Sequence, residues 1–275
     1  FELNDLNLSN AIASDLSTTD NRLFTFYVQA LAEGNVRVSI GANSAEDAAG
    51  NGTMGSNDIG FYYDITQPVV TLSKNVADLT NTVNAIVLLD FSEPVIDFEA
   101  ADLVINKGTI ESFQGTQAAY QLNFSGTEGL IEVTIPEGVA FDRAGNGNEE
   151  QTISWELDIT PPQEHSVAIV PMAINSLNEG SVSFEISNGI SGAIFTYEFT
   201  SSETSAIVSG AGIMDNTDFR VSGVDLSAFP SGVIELNLTL TDLAGNTAEP
   251  VWDQVIKEAE KEIPEGFSPN GDGVN

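Results

Sequence analysis

Asp142-Arg143-Ala144-Gly145-Asn146, followed after a short apolar stretch by Asp158-Ile159-Thr160-Pro161-Pro162, is the passage whose recurrence decides how this chain reads. The same D-x-A-G-N string stands at Asp47-Ala48-Ala49-Gly50-Asn51 and at Asp242-Leu243-Ala244-Gly245-Asn246, so successive copies begin 95 and 100 residues apart. Its companion recurs as Asp64-Ile65-Thr66-Gln67-Pro68, 94 residues before Asp158. A period of this length marks an array of similar small domains, each closing on the same ending.

The period divides the chain. Residues 1–64 are expected to be an incomplete unit without its first strands, because Phe1-Glu2 with Asp5-Leu6 matches Phe98-Glu99 with Asp102-Leu103 at an offset of 97. Residues 65–160 form one complete unit, and residues 161–257 a divergent third that keeps the D-x-A-G-N ending. Residues 258–275 read as a charged linker leading into a further segment. Alternation predicts strands at Phe24, Phe26 and Val28, at Val36, Val38 and Ile40, from Val83 to Phe91, from Tyr120 to Phe124, from Ile131 to Ile135 and from Ile153 to Leu157. About seven short strands per unit, with turn residues between them and no helical period, predict an all-β chain of antiparallel sandwiches of immunoglobulin-like type. Trp155 is expected in the core.

Composition sets limits on function. With 41 acidic residues against 8 Lys plus Arg, the formal charge of −33 repels nucleic acid and anionic lipid and favours cations. No apolar run is long enough to insert in a membrane, and the start lacks the basic region of a signal peptide, so the chain reads as an excerpt. Cysteine is absent, which removes disulfides and thiolate chemistry. The one histidine, His165, follows Pro161-Pro162 and is expected to be exposed at a strand start. No nucleophile and base are paired by the sequence, so a catalytic role is not expected.

The D-x-A-G-N and D-x-T-x-P strings resemble those of bacterial immunoglobulin-like repeats in large surface adhesins. At the other end, Gly266-Phe267-Ser268-Pro269-Asn270-Gly271-Asp272-Gly273 resembles the opening of the C-terminal sorting module, type B, of gliding-motility-associated surface proteins exported by the type IX secretion system. That second resemblance covers ten residues, to Asn275. Together they imply a stalk near the C-terminus of an extracellular, cell-surface adhesin used in attachment and gliding. Its partners would be the type IX secretion and outer-membrane attachment machinery at one end, and surface polysaccharide or a substratum through distal regions at the other. The alternative is a non-catalytic spacer or carbohydrate-binding region of a secreted polysaccharide-degrading enzyme. Taken alone, Asn270 to Gly273 is a tight turn that lacks the first Asp and distant Glu of an EF-hand loop.

Calcium (Ca2+) is the cofactor the resemblance implies. A hard cation takes about 6 to 8 oxygens from flexible loops. The implied ligands are Asp142, Asn146 and Asp158, converging at one end of the complete unit, with Glu93 and Asp97 as additions. The first unit offers Asp47, Asn51 and Asp64 at matching positions. The same residue types beside Gly also form side-chain-to-backbone turns without metal, and that reading stays open. In the third unit, where Asp242 and Asn246 persist but the D-x-T-x-P joint is lost, a turn role is expected.

Overall fold

The computed structural model describes residues 1–260. The expected sorting-module start, Phe267, Pro269, Asn270, Gly271, Asp272 and Gly273, lies outside the described residues.

The second unit shows the complete pattern. Its strands are numbered after five in the first unit: β1 (Leu6–Ser9), β2 (Ala11–Thr18), β3 (Phe24–Ala30), β4 (Gly34–Ile40) and β5 (Ile59–Tyr63). The second unit holds β6 (Val70–Lys74), β7 (Leu79–Thr80), β8 (Asn84–Phe91), β9 (Val104–Ile105), β10 (Gly108–Thr116), β11 (Ala119–Gly126), β12 (Gly129–Ile135) and β13 (Gln151–Leu157). Sheet β10-β11-β8-β6 faces sheet β7-β13-β12-β9, and all pairs are antiparallel except β7 with β13. Successive strand residues point to opposite faces, so Ala85, Val87 and Leu89 of β8, Leu122 and Phe124 of β11 and Ile131, Val133 and Ile135 of β12 all turn inward and are buried. Trp155 is 2% exposed and meets Phe124 edge-on at 5.8 Å. At the other pole Phe91, Phe98 and Tyr120 pack edge to face at 5.1 to 6.1 Å. Each such side chain contributes about 1.5–3 kcal/mol by leaving water, which is ample for a core without disulfide or metal.

The third unit has β14 (Ser166–Ile169), β15 (Ala173–Ile174), β16 (Val182–Ser187), β17 (Ile194–Ser201), β18 (Thr204–Ile213), β19 (Phe219–Val224), β20 (Gly232–Thr241) and β21 (Val251–Lys257). Its sheets are β14-β16-β19 and β15-β21-β20-β17-β18. The difference from the second unit is one strand. The fifth strand of each unit differs in its partner: β10 joins the sheet of β8 and β11, whereas β18 pairs with β17 on the opposite sheet. That switch accounts for a unit that keeps its ending and loses the sequence pattern of its middle. A second core, from Val167 to Val255, is separate from the first.

The first unit has two small sheets, β1-β4-β5 and β2-β3. Nothing among the described residues occupies the places that β6, β7 and β8 hold in the second unit.

Among the strands that escaped the sequence reading are β2, β10, β18 and β19. The first three lie at sheet edges and bury one residue at most, so the inward-facing apolar signal is weak in them. Two further expectations are corrected. His165 is 9% exposed rather than open to solvent, and burial holds its imidazole below the usual histidine range. Lys257 belongs to β21 and is buried, where a solvated linker was expected to begin nearby. Its Nζ donates to the carbonyls of Leu226, Ser227 and Phe229 and pairs with Glu179 at 2.6 Å.

Candidate functional site at the joints between units

D-x-A-G-N is a loop closed by its own first and last residues. Asp142 Oδ1 accepts from the backbone N–H of Gly145 and Asn146 at 2.7 and 2.9 Å, and Asp142 Oδ2 accepts from the Asn146 amide at 2.7 Å. Asp242 repeats these contacts with Gly245 and Asn246 at 2.8 to 3.0 Å. Asp47 repeats the Asn51 contacts at 2.9 Å. The Gly is required because it sits at φ +81°, +95° and +98° in the three copies, a region costly for any residue with a Cβ. Burial pushes the Asp142 carboxyl up, but the Asn146 amide and the loop N–H groups outweigh it and hold the carboxyl below the usual range.

The loop is also half of a joint. Asn146 Nδ2 donates to the backbone carbonyl of Asp64 at 3.2 Å, and Asn246 Nδ2 donates to that of Asp158 at 2.8 Å. In each case the amide of the following unit grips the segment that leaves the preceding one. The D-x-T string fixes the segment itself. Asp64 Oδ1 accepts from the Thr66 N–H at 3.1 Å, and Asp158 Oδ1 from the Thr160 N–H at 3.0 Å. The hydroxyls of these threonines then donate back to the preceding unit, Thr66 to Glu33 at 2.7 Å and Thr160 to Glu128 at 2.8 Å. Both joints therefore carry the same three-part latch. Glu33 and Glu128, in corresponding turns, were not anticipated, although their spacing of 95 residues was available as a signal.

This arrangement separates residues that were expected together. Asp142 and Asn146 sit at the joint before the second unit, beside Asp64, whereas Asp158 sits at the joint after it, beside Asn246. The seven residues of β13 stand between these poles, roughly 23 Å of chain at about 3.3 Å per residue. Asp242 and Asn246 belong to a joint as well as to a turn, contrary to the expectation for the third unit. Asp97 is exposed, outside the acidic group, at φ +58°. Asp47 and Asn51 form the loop alone, with no joint segment against them among the described residues.

The first joint holds more charge than the second. Single carboxylate oxygens of Asp64, Glu93 and Asp142 lie within 4.8 Å of one another, the only such group among the described residues. Burial first, then the charges of Asp142, Asp64 and Glu33, push the Glu93 carboxyl above its usual range. Arg143 lines the same hollow of about 410 Å³ but makes no ion pair among the described residues. The oxygens fit a hard divalent ion, whose ligands at 2.3–2.6 Å lie up to about 5 Å apart.

Comparison with solved structures finds a tetra-tandem repeat from the extending region of a large adhesion protein, at 15% identity, covering 93% of this chain and 66% of that one, with a TM-score of 0.34. A 1.5-MDa bacterial ice-binding adhesin is similar at 18% identity, covering 86% and 80%, with a TM-score of 0.38. The Yersinia pseudotuberculosis adhesin InvE is similar at 11% identity, covering 69% and 59%, with a TM-score of 0.29. The chain thus spans less than two thirds of the length of the first and third of these. No curated protein matches the sequence. Residues 64–165, from the first joint through the second, match the family described as bacterial Ig-like domain.

Proposed function

We propose that this chain is a stalk segment from the C-terminal part of a large adhesin on the surface of a gliding bacterium, exported by type IX secretion and retained at the outer membrane. The role is mechanical and non-catalytic: the units hold a distal binding region away from the cell. The observation that carries this reading is the latch found twice, with Asn146 on Asp64 and Asn246 on Asp158, which fixes each unit on the next. A non-catalytic spacer of a secreted enzyme would need length only, whereas a stalk benefits from joints of fixed geometry. Small-angle scattering tests it. The chain should give an extended particle, and replacing both Asn146 and Asn246 with Ala should broaden the distribution of inter-unit distances while circular dichroism of the sheets stays unchanged. An equally broad distribution before replacement would overturn the reading.

Calcium stiffens the first joint in this proposal. Asp64, Glu93 and Asp142 supply the oxygens, and an ion there would hold the outgoing segment of one unit to two loops of the next. A site that binds only the folded state, at calcium ~100-fold above its dissociation constant, adds about 2.7 kcal/mol. Calorimetry with calcium and with chelator should show a raised Tm that Glu93→Gln abolishes and Asp158→Ala leaves intact. Equal melting temperatures at millimolar calcium would overturn the site and leave the three carboxyls as an acidic group without an ion.

A further inference from the structure

An uncovered sheet edge is a row of unpaired N–H and C=O groups, and folded chains blunt their edges against unwanted pairing. In the second and third units nearly every edge is blunted. β7, β9 and β15 are two residues long. β6 carries Lys74, β10 carries Glu111 with a bulge between Ile110 and Ser112, and β19 carries Arg220. β14 has four residues, and the Asp253 carboxylate accepts from its Ile169 N–H at 2.8 Å. β18 is the exception: Thr204–Ile213 is ten residues without a charge or a proline, in a chain of net charge −33.

The pairing of β18 fixes which backbone groups are free. Met214 N–H donates to the Ala193 carbonyl at 2.9 Å, and the register runs unbroken from there to Val208 opposite Phe199, so Gly212, Gly210 and Val208 face β17. The N–H and C=O groups of Ile207, Ser209, Ala211 and Ile213 point the other way and have no hydrogen-bond partner among the described residues. The side chains of these four lie on the solvent side of the sheet. Ile207 is 58% exposed there, Ile213 65%, and Ile194, opposite Ile213 on β17, 49%.

We infer that β18 is a docking edge for a second copy of this chain, pairing antiparallel with its own counterpart about a twofold axis through Gly210. That register sets Ile207 opposite Ile213 of the second copy and Ser209 opposite Ala211, so every outward backbone group finds a partner. Each end of the joined sheet then gathers Ile194, Ile213 and the incoming Ile207 in one apolar cluster. Sliding the pair by two residues either way sets Ile213 opposite Ser205 or Ser209 and leaves the isoleucines unmatched. Gly210 suits the axis, because it falls in a non-hydrogen-bonded pair, where two strands approach most closely. The Tyr197 ring already fills its inner side, since a Cβ there would lie 2.6 Å from Tyr197 Cζ. Charge permits the contact as well. Glu198, opposite Ser209 on β17, stays roughly 14 Å from its counterpart, three strand spacings away and beyond the ~8 Å screening length.

Sedimentation of the full chain from micromolar to millimolar concentration tests this, with amide exchange as the local readout. The contact is small, so association should be weak and should strengthen with added salt, because Glu203 and Asp215 flank the strand at its two ends. The amides of Ile207, Ser209, Ala211 and Ile213 should exchange more slowly as concentration rises, whereas those of Gly210 and Gly212, bonded to β17, should be slow throughout. Ala211→Pro removes one outward N–H and leaves the ladder to β17 intact, and it should weaken association at least tenfold, roughly. Ile207→Glu should weaken it without altering the backbone, and adding Ile213→Lys should restore it, since the two positions meet across the axis. A monomer at every concentration would overturn the inference. Association that survives Ala211→Pro, or that leaves the four outward amides unprotected, would place the contact on another surface and overturn it equally.

Discussion

Glu93 and Asp142 show how neighbouring carboxyls take opposite roles. Asp142 is held ionised by the amide of Asn146 and the N–H groups of its loop, so its contribution to stability is present above the ordinary Asp range and is lost as pH falls through its lowered folded value. Glu93 runs the other way. Burial and the charges around it make the folded state bind its proton more tightly, so stability is full below the ordinary Glu range and is lost as pH rises through the raised folded value. In chelator, the second unit should therefore lose stability over that upper window, and Glu93→Gln should remove the loss; urea titrations from pH 4 to 8 check this. A variant as pH-dependent as the parent would clear Glu93 of the effect. Asp142 and Asn146 were legible as a closed loop because the Gly between them recurs. Their partner was not, since the hydrogen bond from Asn146 reaches back 82 residues to a backbone carbonyl. Main-chain acceptors carry no sequence signature.

Strands were legible in proportion to how deeply one face is buried. β11 and β12 alternate cleanly between buried positions and half-buried or exposed ones, and both were found. β10 has no buried residue and was missed, and β18 is at best half-buried on its inner face. The last strand of the third unit, β21, was not among the strands read from the sequence. Lys257, expected at the border of a solvated linker, instead has three carbonyls and Glu179 around its ammonium group. Removing one partner of a buried pair leaves the other without compensation and typically costs about 3–5 kcal/mol. Because Glu179 is partly exposed, Lys257→Met should cost the third unit about 3 kcal/mol, the lower end of that range, in urea denaturation. A loss below about 1 kcal/mol would mean that the ammonium merely caps the strand.

Across the molecule, two cores without shared members and a net charge of −33 predict how unfolding proceeds. In chelator, calorimetry should resolve separate transitions for the second and third units, and both should move upward as salt is raised from low concentration to 0.15 M, where the screening length falls to about 8 Å. A single transition that ignores salt would show that the joints couple the units more strongly than their own charge repels them. The repeat period and the strand alternation made the sandwich class legible. Neither could show the sheet exchange of β18, because pairing partners are chosen by tertiary packing.

The latch has a direction: its amide always belongs to the following unit and its carbonyl to the segment leaving the preceding one. An array built on such joints has a phase as well as a length. Were every joint held at the same angle by this latch, each added unit would turn everything beyond it by that angle, like a tread in a spiral stair. Gain or loss of a single repeat would therefore re-aim the far tip, so repeat number sets which way the tip faces as well as how far it reaches.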